Sequence, residues 1–396
     1  MQIITTMLKN KISGVLLLCF VLPLFASPYI PNNPAQVLEK LPVNSATSSK
    51  EFKHLRAILN ADPNNPVIAI QLAKLYIERS RIEGDPRYLG YAQAALAPWW
   101  KLNAPFIEVL VLRATILQST HHFDQSLVDL DKVLKLDPKN GQAWITRATI
   151  LQVQAKYTEA YQSCEHLYSI APPLITLTCA TNIHNLSGQA QKSYAKLEIA
   201  YAASGEENPS IQIWVLTLLA EMAMRLNNSK AAEQYFQQAI KIEDPNSYLL
   251  GAYSDFLLDQ QRSQQVIQLL KTKTRIDALL LRYVEALKTT KSSEADIQIE
   301  VLKQRFAAAM MRGDTVHQRE QSRFELRLMH NPALALQIAK LNWEVQKEPA
   351  DARVYLEAAT AAKDSAAIQT ITQWLATHHL EDVALTKIFT KYQSNS

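Results

Sequence analysis

The side chains in this 396-residue sequence with the most to offer chemistry are nine histidines, three cysteines and an adjacent tryptophan pair. His121-His122 and His378-His379 offer imidazoles to a metal. Side chains one residue apart on a helix point about 100° away from each other, so neither pair makes a good joint ligand set. The spacings that carry catalysis or cofactor binding are absent: there is no G-x-G-x-x-G, no G-x-x-x-x-G-K-[ST], no H-E-x-x-H and no G-x-S-x-G. Glu221 and Glu357 are lone acids inside helix-like patterns, with no partner for general acid–base work. Trp99-Trp100, just after Pro98, would serve either ligand stacking or the filling of an apolar core. Cys164 and Cys179 are either a disulfide pair or two ordinary buried cysteines. The chain reads as a non-enzyme without catalytic residues, metal or cofactor.

The elements that must position these groups are helical. Only eight glycines occur, about 2% against a usual ~7%, too few for a fold rich in tight turns or phosphate-cradling loops. Ala, Leu, Gln, Lys and Glu dominate, all good helix formers. Hydrophobic residues make up 48% of the chain, enough to bury a large core. The formal charge of +4 is small and both signs are interspersed, so no nucleic-acid partner is implied.

The N-terminus has the three-part pattern of a secretory signal peptide. Lys9 and Lys11 precede an apolar run from Val15 to Phe25, and Ala26 follows. The expected cut is after Ala26, giving a signal of residues 1–26. Its apolar core of about 11–13 residues falls short of the ~20 that span a bilayer, so an uncleaved anchor is the secondary reading, and no stable membrane span is expected after cleavage. Leu18 before Cys19 does not fit a lipoprotein signal. Cleavage removes two lysines and Cys19, leaving a charge of +2 and an even pair of cysteines in an oxidising, periplasmic or extracellular compartment. Residues 27–47 are proline-rich and read as a linker. N-x-S sequons occur at Asn185 and Asn227.

Self-similarity decides the fold. Arg113-Ala114-Thr115-Ile116-Leu117-Gln118 recurs letter for letter at Arg147-Ala148-Thr149-Ile150-Leu151-Gln152, an offset of 34 residues, and Phe123, Ser126 and Pro138 align with Tyr157, Ala160 and Pro172. Pro63, Pro98, Pro138, Pro172, Pro209 and Pro245 continue the rhythm at intervals of 35, 40, 34, 37 and 36 residues. On these residues the chain resembles the tetratricopeptide repeat family. Trp144, Ala148, Tyr157, Ala160 and Pro172 fall at the fourth, eighth, seventeenth, twentieth and thirty-second positions of that repeat. Ala220, Ala232, Phe236 and Ala239 mark a second good copy, closed by Asp244-Pro245 one residue late.

The resemblance implies an all-α solenoid of about nine helix pairs forming a right-handed superhelix over residues 48–392. It is clearest in 106–245 and degenerate in 246–377, with an opening helix near 50–60 and a capping helix at 381–392. Arg113 and Arg147 take the seventh position and would face the pair interior, where a charge needs a partner. Asp129 is the expected one for Arg113, and it also borders Arg147. Asp85-Pro86 looks like a helix N-cap followed by proline at the first helical position. Cys164 and Cys179 lie eight residues before and seven after Pro172, on antiparallel helices of adjoining repeats, so they would face one another.

In the family pattern the second, fifth, ninth and twelfth positions of the first helix line a concave groove. These are Glu108, Val111, Thr115 and Gln118, then Gln142, Ile145, Thr149 and Gln152, with Val67, Ile70, Lys74 and Ile77 one repeat earlier. Neutral hydrogen-bonding groups beside apolar ones suit a peptide better than a highly charged ligand. The expected function is an exported scaffold or adaptor for a protein or peptide partner, in cell-envelope assembly or secretion. The alternative is a helical superhelix tied to a cell-wall enzyme such as a lytic transglycosylase.

Overall fold

In the computed structural model the described residues are 31–33, 36, 50–205, 208–242, 245–314 and 316–395. The expected signal peptide (1–26) lies outside them, as does nearly all of the expected linker (27–47). The described residues form helices with no strand among them. A lone helix α1 (Lys50–Ala61) precedes nine consecutive pairs. The first is α2 (Pro66–Glu83) with α3 (Arg87–Ala95), which continues into the single turn α4 (Ala97–Trp100). Next come α5 (Ile107–Ser119) with α6 (Phe123–Leu136), and α7 (Gly141–Val153) with α8 (Tyr157–Glu165). Then follow α9 (Pro173–Asn185) with α10 (Ala190–Ala202), and α11 (Pro209–Arg225) with α12 (Ser229–Ile240). The sixth and seventh are α13 (Ser247–Asp259) with α14 (Ser263–Leu270) and α15 (Asp277–Thr289) with α16 (Ala295–Met311). The last are α17 (Gln318–Arg327) with α18 (Pro332–Val345) and α19 (Pro349–Ala361) with α20 (Ser365–His378), closed by α21 (Val383–Asn395).

Asparagine and proline punctuate the array. Asn65, Asn140, Asn208, Asn228, Asn246 and Asn331 each accept a first-turn amide at the start of their helix, satisfying donors that the helix leaves orphaned. The prolines of the repeat rhythm are helix starters in places. Pro209 opens α11, and Pro98 lies inside α4; the first turn tolerates proline because its amide has no intrahelical partner anyway. Helix α3 begins at Arg87, one residue later than the Asp85-Pro86 pattern suggests, and Asp85 still accepts the Arg87 amide at 3.0 Å.

Small residues let the paired helices approach. Ala114, Ala148, Ala160, Ala220 and Ala232 are essentially inaccessible. In the second pair the contact is direct: Ser126 Oγ donates to the Ala114 carbonyl at 2.7 Å. Leucine and aromatic side chains fill around these points, and one apolar core runs from α9 to α17. Trp99 belongs to the N-terminal core, with Trp100 packed against it, so the tryptophans are core fillers here.

First helices of successive pairs touch each other, whereas the second helices hardly do. First helices therefore line the inner, concave side of the curve. The curvature is strong enough that the array meets itself. At the turn of the first pair, Arg275 binds Glu83 at 3.3 Å and Asp85 at 3.4 Å. At the third, the Lys347 amide donates to the Val153 carbonyl at 2.7 Å, and the Tyr157 and His378 rings lie 5.0 Å apart. At the fifth, Lys387 Nζ donates to Asn227 at 3.3 Å.

Two of the scarce glycines serve this seam. Gly84 and Gly188 both hold positive φ, and a Cβ would come within 2.7 Å of Ile276 Cγ2 at the first and 2.9 Å of His379 Cβ at the second. The corresponding turns elsewhere reach the same left-handed conformation with His121, Ala155, Asn227 and Gln261. Glycine thus appears where the neighbouring coil, and not the turn alone, excludes a side chain.

Candidate functional site

The eight groove residues lie on α5 and α7 as two ladders. Glu108, Gln142 and Thr149 are exposed; Val111, Gln118, Ile145 and Gln152 are half-buried. Thr115 is buried, at 6% exposure. The hydroxyls of Thr115 and Thr149 donate to the carbonyls one turn back in their own helices, at 2.8 and 3.0 Å. Gln152 Oε1 accepts from Asn182 Nδ2 of α9 at 2.8 Å. Val111 and Ile145 pack their inner sides on the cores beneath. What the ladders offer a visitor is therefore the Glu108–Gln142 end and Thr149, while the Gln118–Gln152 end adjoins the seam.

The two repeat arginines are paired, though not alike. Arg113 makes a bidentate bond to Asp129, at 2.6 and 2.8 Å, and also donates to the Leu102 carbonyl at 3.0 Å. Arg147 turns to Asp131 at 3.3 Å and to Ser163 at 2.7 Å, not to Asp129. Arg113 takes both oxygens of Asp129, with Lys132 at 3.8 Å from one of them, and the next arginine takes the carboxylate half a turn further on.

Cys164 and Cys179 are joined by a disulfide, with Cα atoms 5.7 Å apart. It ties α8 to α9. His121 and His379 hold left-handed turn conformations, and His378 stacks edge-on against Tyr157 and Trp374. The sequon residue Asn185 is fully buried, accepting from Arg225 Nε at 2.8 Å; Asn227 is exposed.

The concave side of the later pairs differs in kind. There the first helices carry a continuous ion-pair network. Arg323 of α17 grips Glu285 of α15 with two bonds of 2.7 Å and reaches Asp255 of α13 at 2.7 Å. Arg282 holds the other Asp255 oxygen at 2.6 Å. Arg327 bridges Glu285 and Glu357. Arg353 of α19 binds Asp259 of α13 through two bonds of 2.7 Å, reaching past α15 and α17. The concave face is thus closed on itself along its second half. Although burial pushes Asp255 up, Arg282 and Arg323 hold its carboxyl well below the usual range. Glu357 is likewise held low by Arg327 and Arg353 against its burial.

Next to the network the balance reverses. Arg319 serves three acids, Glu320, Glu348 and Asp351, at 3.3 to 3.5 Å. Burial, and then the charge of Asp351, push Glu348 up to about 7. Glu221 is raised by burial and accepts the Tyr248 hydroxyl at 2.7 Å. Sequence reasoning named Glu221 and Glu357 as lone acids and passed over the other groups. The signal was there in the four-residue spacing of Arg319, Arg323 and Arg327, of Asp255 and Asp259, and of Arg353 and Glu357, each set forming a stripe on one helix face.

His121, in the turn between α5 and α6, is pushed down to about 4, chiefly by burial and then by the charge of Arg319 from across the seam. A histidine whose folded pKa is depressed adds stability that is complete above its ordinary value of ~6.5 and is lost as pH falls towards 4. Its ring resonances are expected to titrate near pH 4 by NMR. A midpoint near 6.5 would mean that His121 is solvated and away from Arg319.

No curated protein matches the chain. The family model for the tetratricopeptide repeat matches residues 215–246, which spans most of α11 and all of α12. Among solved structures, the chain is similar to a tetratricopeptide repeat protein from Parabacteroides merdae, at 13% identity and TM-score 0.39, covering 64% of this chain and 91% of that one. It is also similar to human IFIT1, solved as a dimer with m7Gppp-AAAA, at 14% identity and TM-score 0.36, covering 86% and 75%. Yeast Tom70 matches at 11% identity and TM-score 0.31, covering 87% and 91%.

Proposed function

Because this chain is a tetratricopeptide-repeat protein, we propose that it is a scaffold that binds a protein or peptide partner on the concave face of its early pairs. The observation that carries this reading is a contrast between the two halves of that face. Over α13 to α19 it is consumed by internal ion pairs. Over α5 and α7 it presents Glu108, Gln142 and Thr149 to solvent beside half-buried Val111 and Ile145. Amide and hydroxyl groups next to small apolar areas fit the alternating polar and apolar surface of a peptide. The two lone acids do not favour catalysis: Glu357 is locked between Arg327 and Arg353, and Glu221 is engaged by Tyr248.

We further propose export, with cleavage after Ala26, and a role in cell-envelope assembly or secretion. Support comes from the three-part pattern of residues 1–26 and from a disulfide that suits an oxidising compartment. No helix among the described residues is long and apolar enough to cross a membrane.

The test is a pull-down from envelope extract with the mature chain and with the variant Glu108→Lys/Gln142→Lys/Thr149→Lys. All three positions are exposed, so helicity and melting should be unchanged, while recovery of the partner should fall at least ~10-fold. Undiminished recovery by a folded variant would place binding elsewhere.

A further inference from the structure

The seam between the two halves of the array is built differently from the packing within each half. Within a half, successive helices share continuous apolar cores. From the third pair onwards the seam joins separate apolar cores, with Val345 packed on the core of α5 to α7 and Arg225 facing Asp382. The Lys347 amide meets the Val153 carbonyl, Lys387 meets Asn227, and Ala155 and Leu380 bridge the cores on either side. Gly188 fits under His379 only for want of a side chain. At its centre Tyr157, His378 and Trp374 form a ring cluster. The Tyr157 hydroxyl and the Trp374 indole nitrogen are buried there without a partner, a cost that access to water would relieve.

A joint accompanies the seam. Along the array each second helix packs on the first helix of the next pair, except that α16 hardly touches α17. That step is bridged by Phe324 and Leu328, which join the core of the preceding pairs, by Lys288 donating to the Leu328 carbonyl at 3.1 Å and, on the inner side, by Arg323 and Arg327 reaching back to Glu285. Beyond it, α17 to α20 are tightly packed on one another, and α21 packs on α19.

We propose that α17 to α21 form a latch that opens as one body at the α16–α17 joint, releasing the turns of the second to fifth pairs. Opening breaks Arg353–Asp259 and Lys387–Asn227, while the Arg323–Glu285 pair lies at the joint and can stay made. The released turns adjoin Gln118 and Gln152, so the open state lengthens the usable concave face of α5 and α7. This consequence for partner access rests on the scaffold reading above; the opening itself does not.

Native-state hydrogen exchange on the full mature chain tests the opening without any partner. The Lys347 amide, bonded across the seam, is expected to exchange at least ~100-fold faster than the amide of Leu216 in α11. The amide of Leu356, inside the moving body, should stay as protected as Leu216. Arg353→Gln and Gly188→Gln should each speed Lys347 by about tenfold or more and leave Leu216 and Leu356 unchanged. Equal exchange of Lys347 and Leu216 would overturn the proposal. So would a parallel rise at Leu356, which would mean local unfolding. Fast Lys347 exchange beside an unaffected pull-down by the lysine variant would leave the latch standing and the scaffold reading refuted.

Discussion

Replacing Arg323 with methionine is expected to destabilise the fold by about 3–5 kcal/mol, the usual cost of leaving buried charges without their partner. Arg323 is 8% exposed and Glu285 8%, so water cannot take over the lost bonds. Removal of the guanidinium strands Glu285 Oε1 and Asp255 Oδ1, while Glu285 Oε2 keeps its 3.2 Å bond from Arg327. Unfolding should begin at α15 to α17, because in a repeat array each pair is stabilised mainly by its neighbours, and exchange of α15 amides would show it. Replacing Arg323, Glu285 and Asp255 together by apolar residues of similar volume should recover much of the loss, since desolvation offsets most of what a buried pair contributes. A single variant within ~0.5 kcal/mol of the parent, the range of ordinary surface changes, would show that the network is solvated. The same network predicts acid sensitivity. Asp255 and Glu357 have folded pKa values held below their ordinary ones, so their contribution is complete above the ordinary carboxylate range and is lost as pH falls through the folded values.

Reduction of Cys164–Cys179 is expected to cost about 3 kcal/mol, from the conformational freedom regained by a short loop in the unfolded chain. The bridge closes a separation of 15 residues. Both sulfurs are buried, Cys164 at 0% and Cys179 at 7% exposure, so the reduced thiols keep their packing and the native shape should persist. The comparison is denaturant unfolding with and without reductant, alongside the double variant Cys164→Ala/Cys179→Ala, which should resemble the reduced protein. Unfolding midpoints that coincide in all three would remove the bridge from the account, as would two titratable thiols in the protein as produced.

Much of the fold was legible in the sequence, and for a physical reason. Small residues at the eighth and twentieth repeat positions are required by close helix approach. The identity of residues 113–118 with 147–152 therefore carried the second and third pairs, and the spacing of the prolines carried the rhythm of the others. The family model matches at residues 215–246, around Ala220, Ala232 and Phe236, the other copy in which those constraints survive. The seam was not legible. Gly84 and Gly188 look like ordinary helix-ending glycines, and only in the folded chain do Ile276 and His379 occupy the space of a Cβ. Nor was the split of the concave face legible, because a charge stripe such as Arg319, Arg323 and Arg327 reads as a solvated surface until curvature brings Glu285 and Asp255 to meet it. For the same reason Thr115 was placed beside Thr149 as an equal contact. Repeat position fixes the direction a residue faces, but its exposure depends on neighbours far away in the chain.

The central claim is that partners bind the concave face of α5 and α7. The most direct measurement is photocrosslinking in the native cell, with a photoreactive amino acid placed at Thr149 on that face and, separately, at Val128 on α6, which is 55% exposed. The account predicts a discrete protein adduct from position 149 and none from position 128. Adducts from 128 alone, or equally from both, would contradict it.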